Sequence, residues 1–188
     1  MQRWMTPAAR VWAMTCALAL AIGVPIGAQK MTVTSQGGGG SPHVKSEWHV
    51  KGAAITLEYG RPYLKGRPES QMMAAGEPWR TGADEASILK SDKPLTFGTV
   101  TLEAKTPYTI NTIPGDGEWT LLIGKLGKPG QWGIPYQQPL EIGRVPMKVG
   151  KATAPVELVT ISIDDAASGP ALRVEWGTVV ATAPFKVG

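Results

Sequence analysis

The chain has 188 residues with 19 basic and 15 acidic side chains, a formal net charge of +4, 23 glycines, 16 prolines, seven tryptophans and one cysteine. That length suits one domain with a sizeable core. There is no Lys/Arg-rich run, which argues against a nucleic-acid partner, and the lone Cys16 excludes an internal disulfide framework or a cysteine metal cluster.

The N-terminus does not look like part of a fold. MQRWMTPAAR carries Arg3 and Arg10 and no acid, and VWAMTCALALAIGVPIGA follows without a charge. The small pair Gly27–Ala28 closes the run. A basic start, an apolar stretch and a small-residue end are the order of a secretory signal peptide, assigned to residues 1–28. The rival is an uncleaved anchor, since the uncharged run is near spanning length; Pro25, the glycines and Thr15 favour cleavage. The expected product is exported, periplasmic or extracellular, with no stable membrane span. Cys16 leaves with the signal, so the mature chain must rely on its core. Residues 29–42 contain GGGGS and read as a flexible Gly-rich leader. The domain is placed at 43–188.

From there, short alternating runs are broken by turn residues. AITLEY (54–59) puts Ile55, Leu57 and Tyr59 on one face, and TVTLEA (99–104) does so with Val100 and Leu102. WTLLIG (119–124) is nearly all apolar, as in a central strand. VELVTISI (156–163) changes parity between Leu158 and Val159, which predicts a bulge or burial on both faces. ALRVEW (171–176) sets Leu172, Val174 and Trp176 against Arg173 and Glu175. IPGDG, KPGQ and DDAASGP supply turns. No run has a helical apolar stripe, and PESQMMAAGEP (68–78) has room for one short helix. This spacing predicts an all-β fold: a single antiparallel β-sandwich, jelly-roll-like, with about eight to ten strands.

Two motifs stand out, YGRPYLKGR (59–67) and PWRTGADEAS (78–87). In that order, with TPYTINTIPGDGEWTLLI (106–123) and QWGIPY (131–136) downstream, the chain resembles the bacterial domain-of-unknown-function family 2911 from about Ser41 to its C-terminus. Asp84 stands where the family pattern has Asn, and 68–78 is less apolar than the pattern. The resemblance implies an exported β domain and no particular reaction.

The candidate ligand-binding residues are Arg61, Lys65, Arg67, Trp79, Arg80 and Glu85. Arginine offers a planar, permanently charged fork suited to carboxylate or phosphate, and Trp79 could wall such a pocket. The competing reading is structural: Arg80 and Glu85 form a buried pair that pins a strand entry. Asp84 and Glu85 are expected to point to opposite faces unless the backbone kinks near Gly82, so they make a poor glycosidase pair. His43 and His49, six residues apart on one strand, lie roughly 20 Å apart; they form no metal site by themselves, and His43 is expected in solvent. Trp119 and Trp176 are expected in the core. Trp132 and Tyr136, in a Gly/Pro-rich loop, either stack on sugars or cap the sandwich.

No nucleophile elbow, HExxH motif or phosphate loop occurs. The expected function is a non-catalytic exported module that binds a polar or anionic small molecule, a glycan or a partner protein, with no cofactor or metal. The alternatives are a hydrolase-like enzyme with Glu85 as acid/base and Arg80 as clamp, and an assembly subunit that uses sheet edges.

Overall fold

The computed structural model describes residues 29–127 and 136–188. The expected signal peptide, Cys16, the KPGQ turn and Trp132 lie outside the described residues. Period-two alternation becomes strand wherever it occurs. In β2 (Pro42–Val50) the even positions Val44, Ser46, Trp48 and Val50 are buried, and in β3 (Ala53–Gly60) the odd positions Ala53, Ile55, Leu57 and Tyr59 are buried. The other early strands are β1 (Lys30–Gln36), β4 (Ala83–Ser91), β5 (Leu95–Phe97) and β6 (Val100–Leu102). β7 (Tyr108–Ile113), β8 (Glu118–Lys125), β9 (Glu141–Ala166), β10 (Gly169–Pro184) and β11 (Lys186–Val187) complete the described strands. WTLLIG is a central strand as its composition demands: β8 lies between β7 and β9, and Leu121, Leu122 and Ile123 are buried.

Eight strands form one antiparallel sheet in the order β1-β2-β3-β4-β7-β8-β9-β10, curled into a half-barrel. A small sheet of order β11-β5-β6 supplies the second layer, and Phe97 packs against Phe185 at a tilt within the shared core. The fold is therefore all-β and sandwich-like, with unequal layers.

The segment after β3 draws β9 across the opening of the curl. Leu64 donates its N–H to the Glu157 carbonyl at 2.8 Å, and Val159 returns one to the Pro62 carbonyl at 3.1 Å. The Tyr59 hydroxyl receives the Ile161 N–H at 3.0 Å. Burial pushes the Tyr59 phenol up from its ordinary value, with the Ile161 backbone and the Arg61 charge opposing.

Two local expectations meet particular outcomes. The parity change in 156–163 is a bulge: the β9–β10 register shifts around Gly177, with Val159, Ile161 and Ile163 buried beyond it. The expected short helix is α1 (Glu69–Met72), held to β10 by the Glu69 carboxylate, which accepts from the Thr178 N–H and hydroxyl.

The segment expected as a flexible leader differs. Lys30–Gln36 is a strand, paired antiparallel with β2 from Lys30↔Glu47 to Gln36↔Pro42. The four glycines make its turn, with Gly40 at φ +82° and hydrogen bonds between Gly37 and both Gly40 and Ser41. KMTVTSQ carried the β-branched signal, and the glycines serve as a hairpin turn rather than a tether. Every residue of β1 is exposed. The strand is therefore held by backbone pairing more than by burial.

Candidate functional site

The 59–67 motif builds a rigid loop whose cations largely serve its own backbone. Arg61 reaches across to β9, donating from Nε to the Val159 carbonyl and from Nη2 to the Thr160 hydroxyl, both at 2.8 Å. Leu64–Arg67 is a tight turn closed by the Arg67 N–H on the Leu64 carbonyl at 3.1 Å, with Lys65 at φ +51° and Gly66 at φ +68°. Two successive positive φ values are the type I′ pattern. Arg67 ties the turn again, donating from Nε to the Leu64 carbonyl at 3.0 Å and from Nη2 to the Tyr63 carbonyl. The Glu157 carboxylate accepts the Lys65 N–H at 2.7 Å. Lys65 Nζ stands 5.6 Å from the centre of the Tyr63 ring. Lys65 and Arg67 remain exposed, and both line an open groove of about 360 Å³ with Tyr63, Pro62, Met72 and the Gly39–Ser41 turn.

The 78–87 motif does a different job. Trp79 exchanges backbone hydrogen bonds with Thr112, and its ring stacks on Trp176 (5.5 Å between centroids, 9° between planes) and meets Trp119 edge-on at 6.4 Å. It closes the core rather than walling the cation groove. Trp119 and Trp176 are buried as expected. Thr81 (φ +55°) and Asp84 (φ +62°) are strained positions on either side of Gly82. Arg80 Nη1 donates to the Asp84 carbonyl at 2.6 Å, which helps to hold the second bend.

The expected Arg80–Glu85 pair is replaced by a histidine lock. His43, on β2, reaches across Gly60 of β3 to the start of β4. Its Nε2 lies 2.7 Å from Asp84 Oδ2, and its Nδ1 lies 3.0 Å from Glu85 Oε2, off the line of a hydrogen bond. The positive φ at Asp84 breaks the strand alternation that should have separated the two carboxylates, and the imidazole fits between them. His43 and Asp84 side chains are 15% and 12% exposed, so His43 is not the solvent-facing residue expected. His43→Ala should lower stability by about 2 kcal/mol, because it leaves a part-buried carboxylate on a strained backbone unpaired. Urea denaturation checks this, and a cost no greater than that of His49→Ala, on the same strand, would show the contact to be idle.

The candidate residues therefore separate into three places. Lys65 and Arg67 share the groove; Arg61 is engaged with β9; Trp79, Arg80 and Glu85 belong to the core edge and the lock. Sequence reasoning missed Ser41, Tyr63, Met72 and the role of His43. The one available signal for His43 was a glycine, Gly60, ending the run that pairs with its own.

A further polar cluster flanks the small 3-10 turn Gln138–Leu140. Arg144 forks onto Glu141 (2.8 and 3.1 Å), and the Tyr136 hydroxyl donates to the same carboxylate. The guanidinium holds the Glu141 carboxyl below its ordinary range, while desolvation and the bond to Glu141 raise the Tyr136 phenol. The adjoining cavity, between Asn111, Leu122 and Tyr136, is about 20 Å³, room for one water. Among the described residues, no three His, Cys, Asp or Glu side chains are placed to hold a metal ion, and no helix is long and apolar enough to cross a membrane.

A curled antiparallel sheet with a small second layer, a histidine lock and a cation-rimmed groove defines an all-β domain built around one curled sheet. The chain belongs to the family described as Protein of unknown function (DUF2911), whose model matches residues 41–185. No curated protein and no solved structure matches the chain.

Proposed function

We propose that this is an exported, non-catalytic binding module whose ligand is a polar or anionic small molecule held at the Lys65–Arg67 groove. The observation that carries it is the placing of two exposed cations on a turn braced by its own carbonyls and by Glu157, beside an open groove of about 360 Å³. A preformed site of that size is within the usual range for small ligands, and bracing lowers the ordering cost of binding. Export is supported by the order of charge, apolar run and small residues at 1–28. The hydrolase-like alternative has less support, because Arg80 is engaged with the Asp84 carbonyl and Glu85 faces His43.

The test is a thermal-shift screen of the purified protein against carboxylates, phosphates, sugars and divalent metals. A ligand at a hundred times its Kd adds about 2.7 kcal/mol, a rise of roughly 5–11 °C for a chain of this size. The expected hit is an anion, lost in Lys65→Gln and kept in an Arg80→Ala protein that still folds. A hit that depends on Arg80 and not on Lys65 would move the site to the lock, and silence across the panel would point to a partner protein.

A further inference from the structure

The chemistry of the groove narrows its ligand, and the narrowing rests on the binding-module reading above. The groove's charged side chains are Lys65 and Arg67, and its walls are Pro62, Tyr63 and Met72. No Asp, Asn, Glu or Gln lines it. A sugar carries several hydroxyl donors, which need acceptors when they leave water; here the side-chain acceptors are the Ser41 and Tyr63 hydroxyls alone. Ser41 is 8% exposed, borders the groove, and its hydroxyl makes no hydrogen bond with another described residue. That hydroxyl is not sealed from the groove, so it is free to donate to a molecule there. Arg67 has Nε and Nη2 engaged with carbonyls, which leaves Nη1 without a hydrogen bond to another described residue. The site thus offers two cations and two hydroxyls, those of Ser41 and Tyr63, beside an apolar wall.

We infer that the groove takes a monocarboxylate with an apolar body. The carboxylate meets Lys65, Arg67 Nη1 and the Ser41 hydroxyl, and the body lies along Pro62, Tyr63 and Met72. Charge complementarity selects the head, and the shortage of acceptors rejects polyhydroxylated bodies.

The experiment is calorimetric titration of the purified protein with sodium octanoate, 1-octanol, glucuronate and inorganic phosphate. The same titrations are run on Lys65→Gln and Ser41→Ala, with melting curves to confirm that both variants fold. Octanoate should bind one to one, at least tenfold more tightly than octanol, glucuronate or phosphate. Lys65→Gln should weaken it by about tenfold or more, as for a hydrogen bond to a charged group, and Ser41→Ala by about fivefold, as for a neutral one. Glucuronate or phosphate binding as tightly as octanoate, with the same dependence on Lys65, overturns the inference and leaves the binding module standing. Equal binding of octanol and octanoate overturns it too, since the charges would then be idle. Octanoate binding that ignores both substitutions places the ligand elsewhere and sinks the inference. No binding by any of the four removes the inference and the anion-binding reading together.

Discussion

Trp176→Ala is expected to lower stability by about 3–5 kcal/mol, the cost of removing a large buried aromatic side chain. Trp176 is 1% exposed, and its ring is the lower partner of the Trp79 stack. Its indole N–H donates to the Glu157 carbonyl at 3.1 Å, and that same carbonyl receives the Leu64 N–H that draws the loop onto β9. Truncation would therefore open a cavity, strip the inner face of Trp79 and loosen the contact that closes the curl. The melting temperature should fall by roughly 6–20 °C. Trp176→Phe keeps part of the stack and loses only the N–H bond and some volume, so its cost should be clearly smaller. A loss under 1 kcal/mol for the alanine variant would mean that the tryptophan stack is not what holds the open end of the half-barrel together.

The second large effect is expected at a glycine. Gly60→Ala should cost about 3 kcal/mol, the upper end of the penalty for overpacking. A Cβ there would run into the Ala83 carbonyl oxygen and sit 3.1 Å from His43 Nε2. The oxygen belongs to the strand paired with Gly60 and cannot swing aside as a side chain would, so β3 and β4 must part at their junction. The same displacement pulls His43 from Asp84. Combined with His43→Ala, the substitution should be less than additive, since both remove one contact. Chemical denaturation of the two single variants and the double variant measures that coupling. Strict additivity would show that Gly60 matters only for strand pairing and that the lock is independent of it.

Much of the architecture is legible from local pattern. Ile55, Leu57 and Tyr59, or Leu172, Val174 and Trp176, announce a buried face because adjacent side chains in an extended chain must point to opposite sides. The nearly all-apolar run at 119–124 marks a strand covered on both faces for the same reason. The family is legible as well, since GRPxxKGR and WRTGAxEA are carried by residue identity. The glycine tract at 37–40 was misleading because glycine permits both a tether and a tight turn, and only the pairing of KMTVTSQ with β2 decides between them.

The charged residues of the candidate site are another matter. Their sequence neighbours suggested an Arg80–Glu85 pair and four converging cations. The folded chain instead sets Arg80 on a carbonyl, Arg61 on β9, and both carboxylates on a histidine some forty positions earlier. Which charges meet depends on strand register, on the curl of the sheet and on two residues at positive φ, and none of these is a property of a short window. By itself, then, the sequence determined the all-β class, the buried faces of the strands that alternate clearly, and the family, because those follow from side-chain alternation and local motif. Tertiary structure alone decided which polar groups are consumed as struts and which are left facing the groove, because ion pairs form between atoms brought within a few ångströms by backbone that is remote in the chain.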